Sequence, residues 1–269
     1  MFRWLRDRRR RKILDEPFPA RWEKLLRERV GHYVRLSPTE QNTMRDAVQI
    51  LIAEKNWEGC GGLFLNEEIK VTIAAQASLP ILACDHDYYS RVDSILVYPT
   101  AFATPNPEDD WEDDELSDDG KEGMAVYRGP VLLSWDVVKE EAQEPSCGHS
   151  VVVHEFMHQI DYLDYDVNGA PPIKDRELAK RWQLVMGTAF VRHQKQLKAT
   201  EETFLTEQAG DSETEFFADA AEAFFCDPVG LKEEYAEVYD VFAAYFKLEP
   251  VRWFERDTIA EKETFPPGH

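Results

Sequence analysis

The stretch from Gly148 to Asp161, GHSVVVHEFMHQID, constrains this chain more than any other. Within it His154, Glu155 and His158 form H-E-x-x-H. Helical residues four apart lie one above the other, so both imidazoles can reach a single metal ion. Glu155, one step around the helix, can then reach a water held at that ion. Val153, Phe156, Ile160 and Leu163 repeat at the helical period and predict a buried face, which leaves His154, His158 and Asp161 together on another. Ser150 is a suitable N-cap, and the predicted helix runs to about Leu163. The pattern points to one bound Zn²⁺ rather than to two histidines of an ordinary core helix.

Catalytic zinc normally takes three protein ligands and a water. The third ligand is expected on Glu213 to Phe225, ETEFFADAAEAFF, where Glu215, Asp219 and Glu222 stand four and three apart as one acidic stripe. Phe216, Phe217, Ala220, Phe224 and Phe225 fill most of the remaining circumference. A helix so aromatic is buried, and a buried carboxylate calls for a counter-charge such as a metal. Spacing alone leaves the choice among the three acids open. Asp161, one turn beyond His158, is a candidate to orient an imidazole from behind, and Glu222 is a second such candidate.

Length and charge narrow the function classes. The chain has 269 residues, enough for a substantial core, with 31 Lys and Arg against 52 Asp and Glu and a net charge of -21. Such acidity argues against direct nucleic-acid binding. Cys60, Cys84, Cys147 and Cys226 are far apart and form no C-x-x-C pair, so buried reduced thiols are expected. No apolar run is long enough for a membrane span, and none follows the basic start MFRWLRDRRRRKIL as in a signal peptide, so the chain reads as cytoplasmic. Residues 1–19 are expected to be a flexible basic end. Phe2, Trp4 and Leu5 between arginines offer a second reading, contact with an anionic membrane surface. Residues 20–255 read as a single domain and 256–269 as a tail.

Other elements follow from local signals. Trp22 to Val30 reads as a helix. Ser37-Pro38-Thr39-Glu40 carries a capping box and opens a helix to about Asn56. Gly59, Gly61 and Gly62 predict a turn around Cys60. Lys70 to Leu82 is expected to be a buried helix ending near Pro80. Ser94 to Tyr98 is a short β-branched strand, and Met124 to Trp135 holds one or two strands around Gly129-Pro130. Pro107 to Gly120, dense in Asp and Glu, is expected to be an extended surface loop. Asp164 to Asp175, DYDVNGAPPIKD, half matches a calcium-binding loop and equally suits an Asx-rich turn. Glu177 to His193 reads as a helix, as does Leu231 to Phe246.

The pairing of GHSVVVHEFMHQID with the later DSETEFFADAAEAFFCDP resembles the Mlc titration factor A family of bacterial metallopeptidases. VYPTAF at Val97 to Phe102 and GPVLLSW at Gly129 to Trp135 are similar to family segments, and the likeness covers roughly residues 20 to 255. The resemblance implies a mainly helical α+β fold: a zincin-like metallopeptidase with a small sheet and two metal-bearing helices, related to the catalytic domain of anthrax lethal factor. It also implies that Glu215 joins His154 and His158 as zinc ligands, in the manner of gluzincins, with Glu155 as general base. Family members often carry a Tyr where this chain has Gln208, placed to steady the oxyanion. Gln208 is therefore the candidate oxyanion stabiliser, with Tyr162, Tyr165 or a residue of the last helix as substitutes. The activity so implied is zinc-dependent peptide hydrolysis, with aminopeptidase action one form of it. The alternative is a regulatory binding protein that sequesters a transcriptional repressor of the Mlc type.

Overall fold

The computed structural model describes residues 2–84, 87–102, 120–127 and 129–254. Most of the acidic 107–120 stretch and the 256–269 tail lie outside the described residues. The chain begins with α1 (Phe2–Leu14), α2 (Ala20–Arg29), α3 (Gly31–Arg35) and α4 (Pro38–Glu54). The capping box of α4 forms as its sequence predicts: Ser37 Oγ accepts the Glu40 N–H, and Glu40 Oε2 accepts the Ser37 N–H at 2.8 Å.

Within the segment 1–19, expected to be a loose basic end, Phe2–Leu14 form α1, which packs on the fold. Arg10 of α1 is buried between Glu54, at 2.8 Å, and Asp87, at 2.6 Å. A guanidinium out of water needs such carboxylates on both sides, and they fix α1 against the end of α4.

A strand, β1 (Asn56–Gly59), opens the stretch expected to be only a turn, and the glycine turn follows it. Next come α5 (Glu67–Ser78), which Asn66 caps through the Ile69 N–H, β2 (Ser94–Tyr98), β3 (Gly123–Ala125) and β4 (Val131–Ser134). The sheet order is β1-β2-β4-β3, with β1, β2 and β4 parallel. Strand β3 runs antiparallel to β4, with Met124 opposite Leu132, and forms an edge. Val131 and Leu133 are fully buried, and α5 lies in the core from Val71 to Ala77.

From β4 the chain passes directly into α6 (Trp135–Gln143), then to α7 (Val151–Asp161), α8 (Arg176–Lys198) and α9 (Glu213–Cys226). The last predicted helix is two, α10 (Pro228–Glu234) and α11 (Ala236–Phe246), with Tyr235 between them outside the helical conformation at φ -134°, ψ 57°. The aromatic face of α9 packs as its composition requires. Phe217, Phe224 and Phe225 are buried against Trp182 of α8 and Phe242 and Phe246 of α11, with ring centroids 5.1–6.0 Å apart. Burying rings of this size, at about 25 cal/mol per Å², anchors α9 firmly. Its acidic stripe is thereby turned toward α7.

Candidate metal centre

Helices α7 and α9 each begin on a serine. Ser150 Oγ accepts the Val153 N–H at 3.2 Å and Ser212 Oγ accepts the Glu215 N–H at 3.1 Å, satisfying one orphan donor of each first turn. Val152, Val153, Phe156, Met157 and Ile160 are buried to 0% exposure, which fixes the rotation of α7. His154 and His158 consequently face α9, where they meet Glu215. His154 Nε2 lies 3.3 Å from Glu215 Oε2, and His158 Nε2 lies 3.5 Å from Glu215 Oε1. Among the described residues this is the one cluster of three or more His, Cys, Asp or Glu side chains suited to hold a metal, with its donor atoms within 4.8 Å of one another.

The donor set and spacing fit zinc. Bonds of about 2.0–2.1 Å in a tetrahedron put neighbouring ligand atoms about 3.3–3.4 Å apart. The two imidazole-to-carboxylate separations lie near that edge, each to a different Glu215 oxygen, and the three donor atoms stand within 4.8 Å of one another. Burial works against a charge on His154, but hydrogen bonds to Glu215 and Glu222 outweigh it and hold the ring well above its ordinary pKa. Glu215, also opposed by burial, is driven well below the carboxylate range by the same two histidines. The pocket thus favours positive charge beside Glu215 and Glu222.

Glu155 is buried beside this cluster under the sheet edge. A Cβ on Gly123 of β3 would stand 2.6 Å from Glu155 Oε1 and 2.5 Å from Val151 Cγ2, so only glycine lets the strand approach the carboxylate. Burial raises the Glu155 pKa, tempered by His154, His158 and the Ala125 N–H.

The remaining candidates part company. Glu222 is buried, accepts from His154 Nδ1 at 3.2 Å and from the Ser150 N–H at 2.6 Å, and lies 3.5 Å from His149 Nδ1. Its contact favours the proton of His154 on Nδ1 and turns Nε2 toward Glu215. Burial opposes the Glu222 charge, yet His149, His154 and the Ser150 N–H bring its pKa down to about 2. Asp161 does not orient an imidazole. Its two oxygens accept the Gly169 and Ala170 N–H groups at 3.1 and 3.0 Å, and His158 Nδ1 is buried without a hydrogen-bond partner. Asp219 instead binds Thr206 Oγ1.

Gln208 is exposed on the turn before α9, at the edge of a cleft of about 1310 Å³ that also receives Tyr162, Glu155 and the metal cluster. Tyr162 lies one turn beyond His158, its ring nearly parallel to the imidazole at 15° with centroids 6.2 Å apart. Burial, with Asp161, Glu155 and Glu215 nearby, lifts its phenol to about 12, so it keeps its proton at neutral pH. Tyr165 is exposed beneath the Arg91 guanidinium.

Three residues here carried no usable signal in the sequence. Gly123 is one glycine among several. His149 and Glu141 acquire meaning only when α6 and α9 meet at the start of α7. Glu141 accepts the Val151 N–H at 2.8 Å, and burial beside Glu222 pushes its pKa up to about 8. The half-match to a calcium loop dissolves. Asp164 accepts the Asp166 N–H, Asn168 accepts the Ala170 N–H, and Asp175 caps α8 through the Glu177 and Leu178 N–H groups. These are the Asx-turn and N-cap roles. All four cysteines are free, and of these only Cys226 is buried.

An H-E-x-x-H motif on one helix, a carboxylate on a second and a sheet edge above them form a candidate metallopeptidase site. The model of the family described as glucose-regulated metallo-peptidase M90 matches residues 3–247, and the chain belongs to that family. It is 31% identical over 250 residues to the uncharacterized protein slr2042 of Synechocystis, covering 92% of this chain and 90% of that one. It is 26% identical over 231 residues to Mlc titration factor A of Serratia proteamaculans, covering 82% and 86%. Mlc titration factor A of Yersinia pestis is 23% identical over 255 residues, with 92% of each covered. The resemblance read from the two helices holds over nearly the whole chain, and the match begins inside α1.

Proposed function

We propose that this protein is a zinc-dependent peptidase in which His154, His158 and Glu215 hold the metal and Glu155 is the general base. The observation that carries this reading is the convergence of two imidazole nitrogens and one carboxylate within 4.8 Å of one another, with Glu155 buried alongside. Bound there, zinc would polarise the scissile carbonyl and lower the pKa of a water at the site. Glu155 takes the proton of the attacking water and returns it to the leaving amine. Its burial favours the protonated form and so the second transfer. Glu222 holds His154 in the binding tautomer. Strand β3, the edge of the sheet among the described residues, supplies backbone groups to align an extended peptide.

Tyr162 rather than Gln208 serves the oxyanion on this reading. A phenol O–H that keeps its proton donates as charge builds on the carbonyl oxygen, whereas Gln208 is exposed at the rim. Tyr162→Phe is predicted to lower kcat by about 10–10²-fold with KM little changed, and Gln208→Ala to have less than about a threefold effect. The reverse ranking in steady-state kinetics would return the role to Gln208.

The cleft walls suit a cationic substrate group. Glu122, Glu140, Glu144 and Asp211 line it, against Lys121. This supports aminopeptidase action, in which carboxylates receive the free α-amino group. Peptides with a free amine should then be cleaved at least about tenfold faster than N-acetylated ones. Cleavage should also stop on chelation and return with added zinc. Equal rates on both peptides would remove the aminopeptidase part, and turnover that survives chelation would remove the metal mechanism. The name of the Serratia and Yersinia relatives, Mlc titration factor A, favours a second reading, sequestration of an Mlc-type repressor. Binding of that kind would survive Glu155→Gln.

A further inference from the structure

Helix α1 carries more positive charge than the fold uses. Seven of its thirteen residues are Arg or Lys and one is acidic, in a chain of net charge -21. Arg6 and Arg10 are spent on Asp87 and Glu54, which orients the helix. The opposite face is open. Trp4 is 58% exposed and Leu5 52%, beside exposed Arg8, Arg11 and Lys12 on the same side of the helix, with Arg9 at its margin. The Arg8 guanidinium sits 5.6 Å over the Trp4 ring and shields part of it.

We propose that α1 is a docking surface for an anionic lipid bilayer. Indole and leucine side by side at one end, followed by cations over the next two turns, is the composition of a helix that lies in a membrane interface. A nucleic acid would meet the cations equally well but gives Trp4 and Leu5 nothing to enter. The acidic body turns the molecule so that α1 approaches an anionic surface first, and its repulsion is screened beyond about 8 Å at physiological salt. Docking is peripheral, because no helix among the described residues is long and apolar enough to cross a membrane. The buried Arg10 cluster holds the helix formed beforehand, so binding orders nothing new.

Co-sedimentation of the full chain with vesicles tests this, using phosphatidylcholine alone and with about 30% phosphatidylglycerol at about 0.15 M salt. Binding is expected only with the anionic lipid, falling as salt rises. Arg8→Glu with Lys12→Glu, and separately Trp4→Ser with Leu5→Ser, should each weaken it by about tenfold or more. These positions are exposed, so the melting temperature should stay unchanged. Absence of binding to the anionic vesicles, or equal binding to both compositions, would overturn the proposal. So would unchanged vesicle binding by the Trp4/Leu5 variant together with equal affinity for a short DNA duplex, which would mark a general polyanion contact.

Discussion

Glu155→Gln is expected to lower kcat/KM for peptide hydrolysis by about 10²–10⁴-fold while zinc stays at the wild-type stoichiometry. Gln keeps the shape that fits under Gly123, where the backbone already approaches as closely as a glycine allows. It leaves His154, His158 and Glu215 untouched. What it removes is the group that accepts the water proton, and nothing nearby replaces it. Glu215 is held far below the carboxylate range by the histidines and is a poor base, and Glu222 is occupied by His154 and the Ser150 N–H. Rates near wild type would mean that another group carries the proton. Loss of zinc along with activity would mean that Glu155 helps to build the site.

Asp161→Ala should cost about 2–4 kcal/mol and lower the melting temperature by roughly 5–15 °C. The carboxylate is fully buried, and its removal strands the Gly169 N–H and leaves the Ala170 N–H to Asn168 alone. The consequence reaches the metal centre. Gly169, at φ +69°, packs so tightly on the first turn of α9 that a Cβ would stand 2.2 Å from the Glu213 carbonyl oxygen. Asp161 at the end of α7 thus grips the loop that braces the start of α9, where Glu215 resides. Zinc affinity should fall together with stability, although Asp161 touches no metal-binding atom. Thermal unfolding within about 2 °C of wild type would contradict this bracing role.

Legibility in the sequence followed the range of the interaction. Helices α7 and α9 were readable because their periodicity and serine caps are local, and the α4 capping box lies within four residues. Strand β1 was not readable: NWEG holds one large apolar side chain and is a strand only because β2 lies beside it. Helix α6 was hidden by starting directly at the end of β4, without a breaker. The basic start looked like a free end because the partners of Arg10 lie 44 and 77 residues away. Asp161 was misassigned for a related reason. Spacing brings it one turn from His158, but two backbone amides of the following loop claim both oxygens first. Gly123, Glu141 and His149 belong to the site only through tertiary packing, which no local pattern announces.

The central claim is that one metal is shared by α7 and α9, and elemental analysis of purified protein tests it most directly. Wild type should contain about one zinc per chain, and Glu215→Ala markedly less at the same total folded protein. Full zinc retention by the variant would move the third ligand away from Glu215. A wild type that stays metal-free after zinc is supplied would contradict the account outright.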